Sequence, residues 1–116
     1  MIRRGEIYSI DFEPVRGAEA NKWRPGVIVS NDQANATAGR LGRGVITVVP
    51  VTSSVARIYP FQVLLPASQT GLDRDSKAQG EQLRAVAIER VGERMGVVPA
   101  PFLREIDEAL RLHLAL

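Results

Sequence analysis

The 116-residue chain has no cysteine and a single histidine, His113. Without cysteine, disulfide frameworks, cysteine-based zinc sites and catalytic thiols are excluded, and one histidine excludes a histidine pair within the chain. No apolar run reaches the roughly 20 residues that a membrane-spanning helix needs. The charged N-terminal residues lack the apolar core of a secretory signal. We therefore expect a cytoplasmic protein with no membrane partner, and we expect no cofactor.

Lysine is also scarce: the chain has two lysines, Lys22 and Lys77, and thirteen arginines. The first 60 residues carry a net charge of +3 and the remaining residues a net charge of −1, which together give the formal charge of +2. A guanidinium group matches phosphate geometry, so this arginine bias is compatible with nucleic acid as a partner. A solvated surface explains the same charges. Charge alone leaves both interpretations open.

The remaining composition, 45% apolar and 24% charged, is that of an ordinary globular chain. We expect one domain over residues 1–116, mainly β with some helix. Alternating or β-branched segments predict strands, and the ambiguous stretch 77–88 is interpreted as bent strands. The predicted strands cover residues 5–12, 26–30, 45–51, 59–65, 77–88 and 95–98.

Two helices are expected beside these strands. Asn31 or Asp32 is suited to cap a short helix or a pair of turns, and a terminal helix opens at Pro101. The terminal helix carries an apolar arc broader than one core-facing stripe, which favours a second subunit against it. His113 lies within that arc and is interpreted as a structural residue. Residues 13–22 form an irregular polar segment that predicts a mobile surface loop.

Several separated motifs resemble, in order, those of the MazF/PemK family of toxin endoribonucleases. They are Arg4-Gly5-Glu6-Ile7-Tyr8, the stretch 23–32 beginning Trp23-Arg24-Pro25-Gly26, Val49-Pro50-Val51-Thr52-Ser53, Asp75-Ser76 and Glu81-Gln82-Leu83-Arg84. The resemblance covers almost the whole chain. It implies an SH3-like β-barrel with short peripheral helices and a C-terminal helix. It also implies a homodimer that cleaves single-stranded RNA at specific sequences without metal and is inhibited by a cognate antitoxin protein.

Arg24 and Thr52 match the catalytic arginine and threonine of that family. Metal-free cleavage uses the 2′-hydroxyl of the RNA as nucleophile and leaves 2′,3′-cyclic phosphate and 5′-hydroxyl ends, whether the target is mRNA, rRNA or tRNA. The protein must then remove a proton, stabilise the phosphorane charge and help the 5′-oxygen leave. A guanidinium suits the charge, and a hydroxyl can orient the phosphate or the nucleophile. As isolated residues, both would be read as structural.

Five further residues are candidates for supporting or RNA-binding roles: Glu19, Trp23, Ser53, Gln82 and Arg84. Glu19 could accept the 2′-hydroxyl proton, although a solvated loop glutamate is the simpler interpretation, and Ser53 could donate to the same phosphate. Trp23 could stack on a base and Gln82 could bond a base edge, whereas Arg84 could contact phosphate or brace the fold. The pair Asp73 and Asp75 lacks a third ligand nearby and is interpreted as turn residues.

Two other functions remain open from the sequence. A relative on the same barrel could poison a DNA topoisomerase by protein contact and would not need Arg24 or Thr52. A noncatalytic SH3-like module that binds RNA or protein is compatible with the composition, but it leaves the spacing of these motifs unexplained.

Overall fold

The structure, a computed structural model, describes residues 1–12 and 23–116. Seven strands and three helices alternate along these residues. The strands are β1 Glu6–Asp11, β2 Trp23–Ile28, β3 Val45–Thr52, β4 Gln62–Leu65, β5 Ser76–Gln79, β6 Arg84–Ala87 and β7 Val91–Val97. The helices are α1 Asp32–Leu41, α2 Ala67–Thr70 and α3 Ala100–Leu114, with short 3-10 turns at Gly80–Gln82 and Ile88–Arg90. The expected mixture of sheet and helix is confirmed.

All strand pairs are antiparallel, in the order β4-β5-β3-β2-β1-β7, with β6 also paired to β3. Strand β3 pairs with β2 along one edge and with β6 and then β5 along the other. Within the described residues, no ladder joins β4 to β7, so the sheet is open where the resemblance implied a closed barrel.

The 3-10 turn between β5 and β6 explains why the sequence pattern of residues 77–88 is ambiguous. On that edge of β3, the ladder to β6 ends at Val48 and the ladder to β5 begins at Val51, so Pro50 lies opposite the gap. Proline cannot donate a ladder hydrogen bond, which suits it to this gap. The turn enters at Gly80, where a Cβ atom would lie 2.5 Å from the carbonyl oxygen of Phe61. Only glycine fits, and the turn sets Gln82 and Arg84 beside the beginning of β2.

Apolar side chains pack on both faces of the sheet. One core joins the sheet to α3 and includes Ile7, Val27, Val49, Val51 and Ile106. A second core, on the opposite face, includes Ile10, Ile28, Ala38, Ile46, Val48 and Val86. Strand β3 contributes to both cores, as its β-branched run predicts, although its first residue, Val45, is 61% exposed. The sheet is thus held from both sides, and its strand ends are left to form a site.

Helix α1 has the ends that its sequence predicts. The Asn31 side chain accepts a hydrogen bond from the backbone of Ala34 at 2.8 Å, and Gly42 closes the helix with a φ of 68°. Helix α3 begins after Pro99 and has proline in its first turn, where the missing N–H is harmless. Within the described residues, no helix combines the length and the hydropathy needed to cross a membrane.

Arg4 ties the chain's first residues to α3. Its Nε donates to the carbonyl of Val29 at 2.9 Å, and its guanidinium pairs with Asp107 of α3 at 2.5 Å. The motif residues that open the chain therefore brace the fold on the sheet face covered by α3.

Several segments differ from the expectation. Strand β2 begins at Trp23 rather than Gly26, and Pro25 is accommodated because the ladder to β3 begins only at Gly26. Strand β4 begins at Gln62 rather than Tyr59. Helix α2 is a third helix where two are expected, and strand β7 begins at Val91 rather than Met95.

Candidate active site

Two clefts meet at the beginning of β2. The first, the Thr52 cleft, has a volume of about 370 Å³. Its lining consists of Arg24, Pro25, Val51, Thr52, Ser53, Leu72, Asp73, Arg74, Ser76 and Met95. The second, the Arg84 cleft, has a volume of about 320 Å³. Its lining consists of Phe12, Arg24, Pro50, Gln79, Gln82 and Arg84. Arg24 is the residue common to both.

Arg24 owes this position to the register of β2. It pairs with Ile10 near the start of the ladder to β1, and Gly26 opposite Pro50 is the first contact with β3. The side chain is exposed. No hydrogen bond or ion pair joins its guanidinium to another described residue. The fork is therefore open to hold the oxygens of an anion from either cleft.

Thr52 and Ser53 come to the same cleft from the far end of β3. Thr52 is the last strand residue and pairs with Lys77 of β5. Its Oγ1 accepts a hydrogen bond from the backbone of Ser54 at 3.2 Å. That contact caps the end of the strand, and it leaves the hydroxyl proton available to a ligand. Ser53 is exposed beside it and lines the cleft.

The Arg84 cleft gathers the polar groups of the Glu81-to-Arg84 motif. Gln82 is exposed in the 3-10 turn. The guanidinium carbon of Arg84 lies 5.4 Å from the centre of the Phe12 ring, a cation–π distance. This contact supports the bracing interpretation of Arg84, and the position in the cleft supports the phosphate-binding one. The structure therefore brings Gln82 and Arg84 to Arg24, as the sequence analysis expected.

Trp23 is not brought into the described lining of either cleft. Alternation along β2 puts Trp23 on the sheet face opposite Arg24, and its ring lies so close to Gly92 that a Cβ atom there would be 2.9 Å from Trp23 Cζ3. Trp23 is 49% exposed and lines neither cleft, so stacking on a base stays a prediction. Glu19 and the loop expected over residues 13–22 lie outside the described residues.

Asp73 and Arg74 were missed as site residues. The sequence interpretation assigned Asp73 and Asp75 to a turn, and for Asp75 the structure confirms it, because its Oδ1 accepts a hydrogen bond from the backbone of Ala67 at 2.9 Å. Asp73 also lies on this turn, between α2 and β5, and it lines the Thr52 cleft together with Arg74. No spacing in the sequence signals this, since the approach depends on the turn after α2.

The pKa shifts resolved for described groups lie outside the two clefts. Burial, followed by the hydrogen bond to Glu6, raises the pKa of Tyr8. The backbone N–H of Arg4, which donates to Asp32 at 2.7 Å, lowers the pKa of that carboxyl. Among residues 1–12 and 23–116, no three acidic or histidine side chains are grouped so as to bind a metal ion. The clefts thus offer guanidinium groups, hydroxyls and one carboxylate.

His113 lies far from this chemistry, as expected, but it is not a buried structural residue. It is exposed, and its ring centre lies 6.4 Å from that of Phe61. The last turn of α3 leaves Leu112 58% exposed and Leu114 45% exposed, so the apolar arc extends beyond the core.

Comparisons with known proteins agree in finding MazF-like proteins. A family model described as "PemK-like, MazF-like toxin of type II toxin-antitoxin system" matches residues 3–114. The chain is 63% identical over 116 residues to "Endoribonuclease MazF9" of Mycobacterium tuberculosis (strain ATCC 25618 / H37Rv), covering 100% of this chain and 98% of that protein. Two structures from Deinococcus radiodurans are similar. MazF (Form-I) has a TM-score of 0.78 at 27% identity, and the match covers 99% of this chain and 97% of the MazF chain. MazE-MazF (Form-II) has a TM-score of 0.79 at 26% identity, with coverages of 99% and 96%.

Proposed function

The chain belongs to the PemK-like, MazF-like toxin family of type II toxin-antitoxin systems, and on that premise we propose that it is a sequence-specific, metal-independent endoribonuclease. The substrate is single-stranded RNA, which the enzyme cuts to 2′,3′-cyclic phosphate and 5′-hydroxyl ends. The near full-length relative at 63% identity bears the name endoribonuclease, which supports the reaction class. The single domain, residues 1–116, acts in the cytoplasm.

The observation that carries this proposal is the place of Arg24 between the two clefts. A strand of RNA laid across both would set one phosphate at Arg24, with Thr52 on one side and Gln82 on the other. In the transition state the guanidinium binds the nonbridging oxygens as their charge grows, and the Thr52 hydroxyl donates to the same phosphate. These groups act on charge that develops during attack by the 2′-hydroxyl.

The remaining candidates take supporting roles. Ser53 donates to the phosphate held by Arg24 and Thr52, while Gln82 bonds a base edge in the Arg84 cleft. Arg84 contacts the neighbouring phosphate from its place over Phe12. Trp23 stacks on a base that leaves the clefts over β7, and Glu19 stays a candidate for a supporting role.

Two protein partners belong to this proposal. The exposed leucines at the end of α3 support a homodimer, because an isolated chain would leave them in water. The similar MazE-MazF structure supports a cognate antitoxin as the inhibitor. We propose that an acidic antitoxin segment occupies the clefts, where the arginines attract a polyanion.

A cleavage assay in excess chelator tests the proposed function. Purified protein is incubated with a long RNA, and the fragments are mapped and their ends analysed. Discrete fragments with 2′,3′-cyclic phosphate ends are expected. Intact RNA would overturn the proposal, and a parallel assay for trapped topoisomerase on supercoiled DNA would then identify the poisoning alternative. Intact RNA with retained binding would identify a noncatalytic module.

A further inference from the structure

We infer that Asp73 is the proton acceptor for the attacking 2′-hydroxyl, an assignment that rests on the proposed function and adds a catalytic residue to it. Attack by a 2′-hydroxyl without metal needs a group that takes its proton. Within the described lining of the Thr52 cleft, the ionisable side chains are Arg24, Asp73 and Arg74. Guanidinium groups do not give up their proton in proteins, so of these three described side chains the carboxylate is the one that can act as a base.

The described lining of the second cleft holds no carboxylate. The ionisable side chains in the described lining of the Arg84 cleft are Arg24 and Arg84, both guanidinium groups. Asp73 is also free to act. It is exposed, and its carboxylate forms no hydrogen bond or ion pair with any other described residue. Its neighbour Asp75, by contrast, is engaged with the backbone of Ala67.

The turn that carries Asp73 is anchored at both ends. Before it, Leu72 is 7% exposed in the core, and its backbone N–H donates to Thr70 Oγ1 at 3.3 Å. After it, the Ser76 hydroxyl donates to the carbonyl of Arg74 at 3.0 Å, and Ser76 is 5% exposed at the start of β5. A side chain on a turn held in this way keeps a defined approach to the cleft, as a general base requires.

The balanced step is as follows. The Asp73 carboxylate takes the 2′-hydroxyl proton as O2′ forms a bond to phosphorus, and the bond from phosphorus to O5′ breaks. O5′ takes a proton from solvent and Asp73 returns its own, so no net proton is consumed. Arg24 and Arg74, the other charged groups of the described lining, hold the phosphate charge while the carboxylate acts on the ribose.

Single-turnover cleavage of an RNA with one mapped site tests this role. In Asp73→Asn the rate at neutral pH is expected to fall about 10²–10⁴-fold, the usual contribution of a general base. The acid limb of the wild-type pH–rate profile should disappear, because guanidinium groups do not titrate in that range. Affinity for an analogue lacking the attacking 2′-hydroxyl should be unchanged or tighter, since a negative charge beside the phosphate has been removed. Asp73→Glu should restore part of the rate and the acid limb.

Asp75→Asn is the matched control, because it makes the same charge change two residues away and keeps an oxygen for the Ala67 N–H. Its rate should stay within about threefold of wild type. A folded Asp73→Asn protein that cleaves at such a rate, or that keeps the acid limb, would overturn the assignment. Loss of the acid limb in Glu19→Gln rather than in Asp73→Asn would also overturn the assignment. Wild-type protein that yields no cyclic phosphate ends would show that the proposed function itself is wrong, a result distinct from these.

Discussion

Replacing Arg24 by alanine separates the two contributions that an arginine can make, to folding and to catalysis. The guanidinium is exposed and joins no described residue by hydrogen bond or ion pair. Its removal should therefore change the free energy of unfolding by no more than about 0.5 kcal/mol, as for other surface substitutions. In a protein of this size that corresponds to a shift of less than about 4 °C in Tm.

The catalytic cost of Arg24→Ala should be far larger. Loss of one preorganised donor to a developing oxyanion costs about 2.7–4 kcal/mol of barrier, or about 10²–10³ in rate. Arg24 is the residue shared by the Thr52 and Arg84 clefts, so its fork also aligns the strand across them, and cleavage should fall to background. Thr52→Ala should lose less, because a neutral hydroxyl contributes less than a charged fork.

Arg24→Lys tests whether geometry or charge matters. Lysine keeps the charge but offers a point donor in place of a planar fork. The loss of one charge-assisted hydrogen bond, about 1.5–3 kcal/mol, predicts a rate about 10–100-fold below wild type. The assay is single-turnover cleavage in chelator, with Tm and oligomeric state measured on the same samples. Near-normal cleavage by folded Arg24→Ala would refute the assignment, and wild-type rates in Arg24→Lys would show that only charge is used.

Three further predictions concern other parts of the molecule. His113→Gln should cleave RNA at close to the wild-type rate, since His113 lies outside both clefts; a loss of orders of magnitude in a folded dimer would contradict the mechanism. The pKa of Asp32 is lowered from its ordinary 3.8 by the Arg4 N–H, so its charge stabilises the fold above that pH, and the stabilisation is lost as pH falls through the lowered pKa. Urea unfolding of Asp32→Asn should show a deficit at pH 7 that vanishes in strong acid, and a deficit that persists there would exclude a charge effect. Finally, an antitoxin peptide titrated onto protein saturated with an RNA analogue lacking the attacking hydroxyl should bind more weakly, and more weakly still as salt increases; undiminished simultaneous binding would contradict a shared site.

The parts of the fold that the sequence predicts are those with local signals. Each of these signals acts within a few residues: the β-branched run of β3, the Asn31 cap and Gly42 end of α1, and the prolines at the start of α3. Helix α2 has no such signal, because four residues show no periodicity. The early start of β7 was missed because Gly92 and Glu93 break the apolar alternation in an edge strand, where one side needs no partner.

The candidate site divides in the same way. Arg24, Thr52, Gln82 and Arg84 were found because a family resemblance ties positions that are far apart in sequence. Asp73 was assigned to a turn, since its charge and spacing alone are those of any polar connection. Its place in the Thr52 cleft follows from how the turn after α2 packs, which is tertiary information.

The place of β1 between β2 and β7 has a consequence for the order of events during synthesis. Tyr8 pairs with Gly26 on one side and Arg94 on the other, so one neighbour is translated soon after β1 and the second only near the end of the chain. The partner of Arg4, Asp107, is likewise translated near the end of the chain. Contacts between such distant segments form late in folding. Because Met95 of β7 also lines the Thr52 cleft, a nascent chain has an incomplete cleft until its last quarter has left the ribosome. A ribosome can therefore finish most of this chain before the cleft that carries the proposed activity is complete.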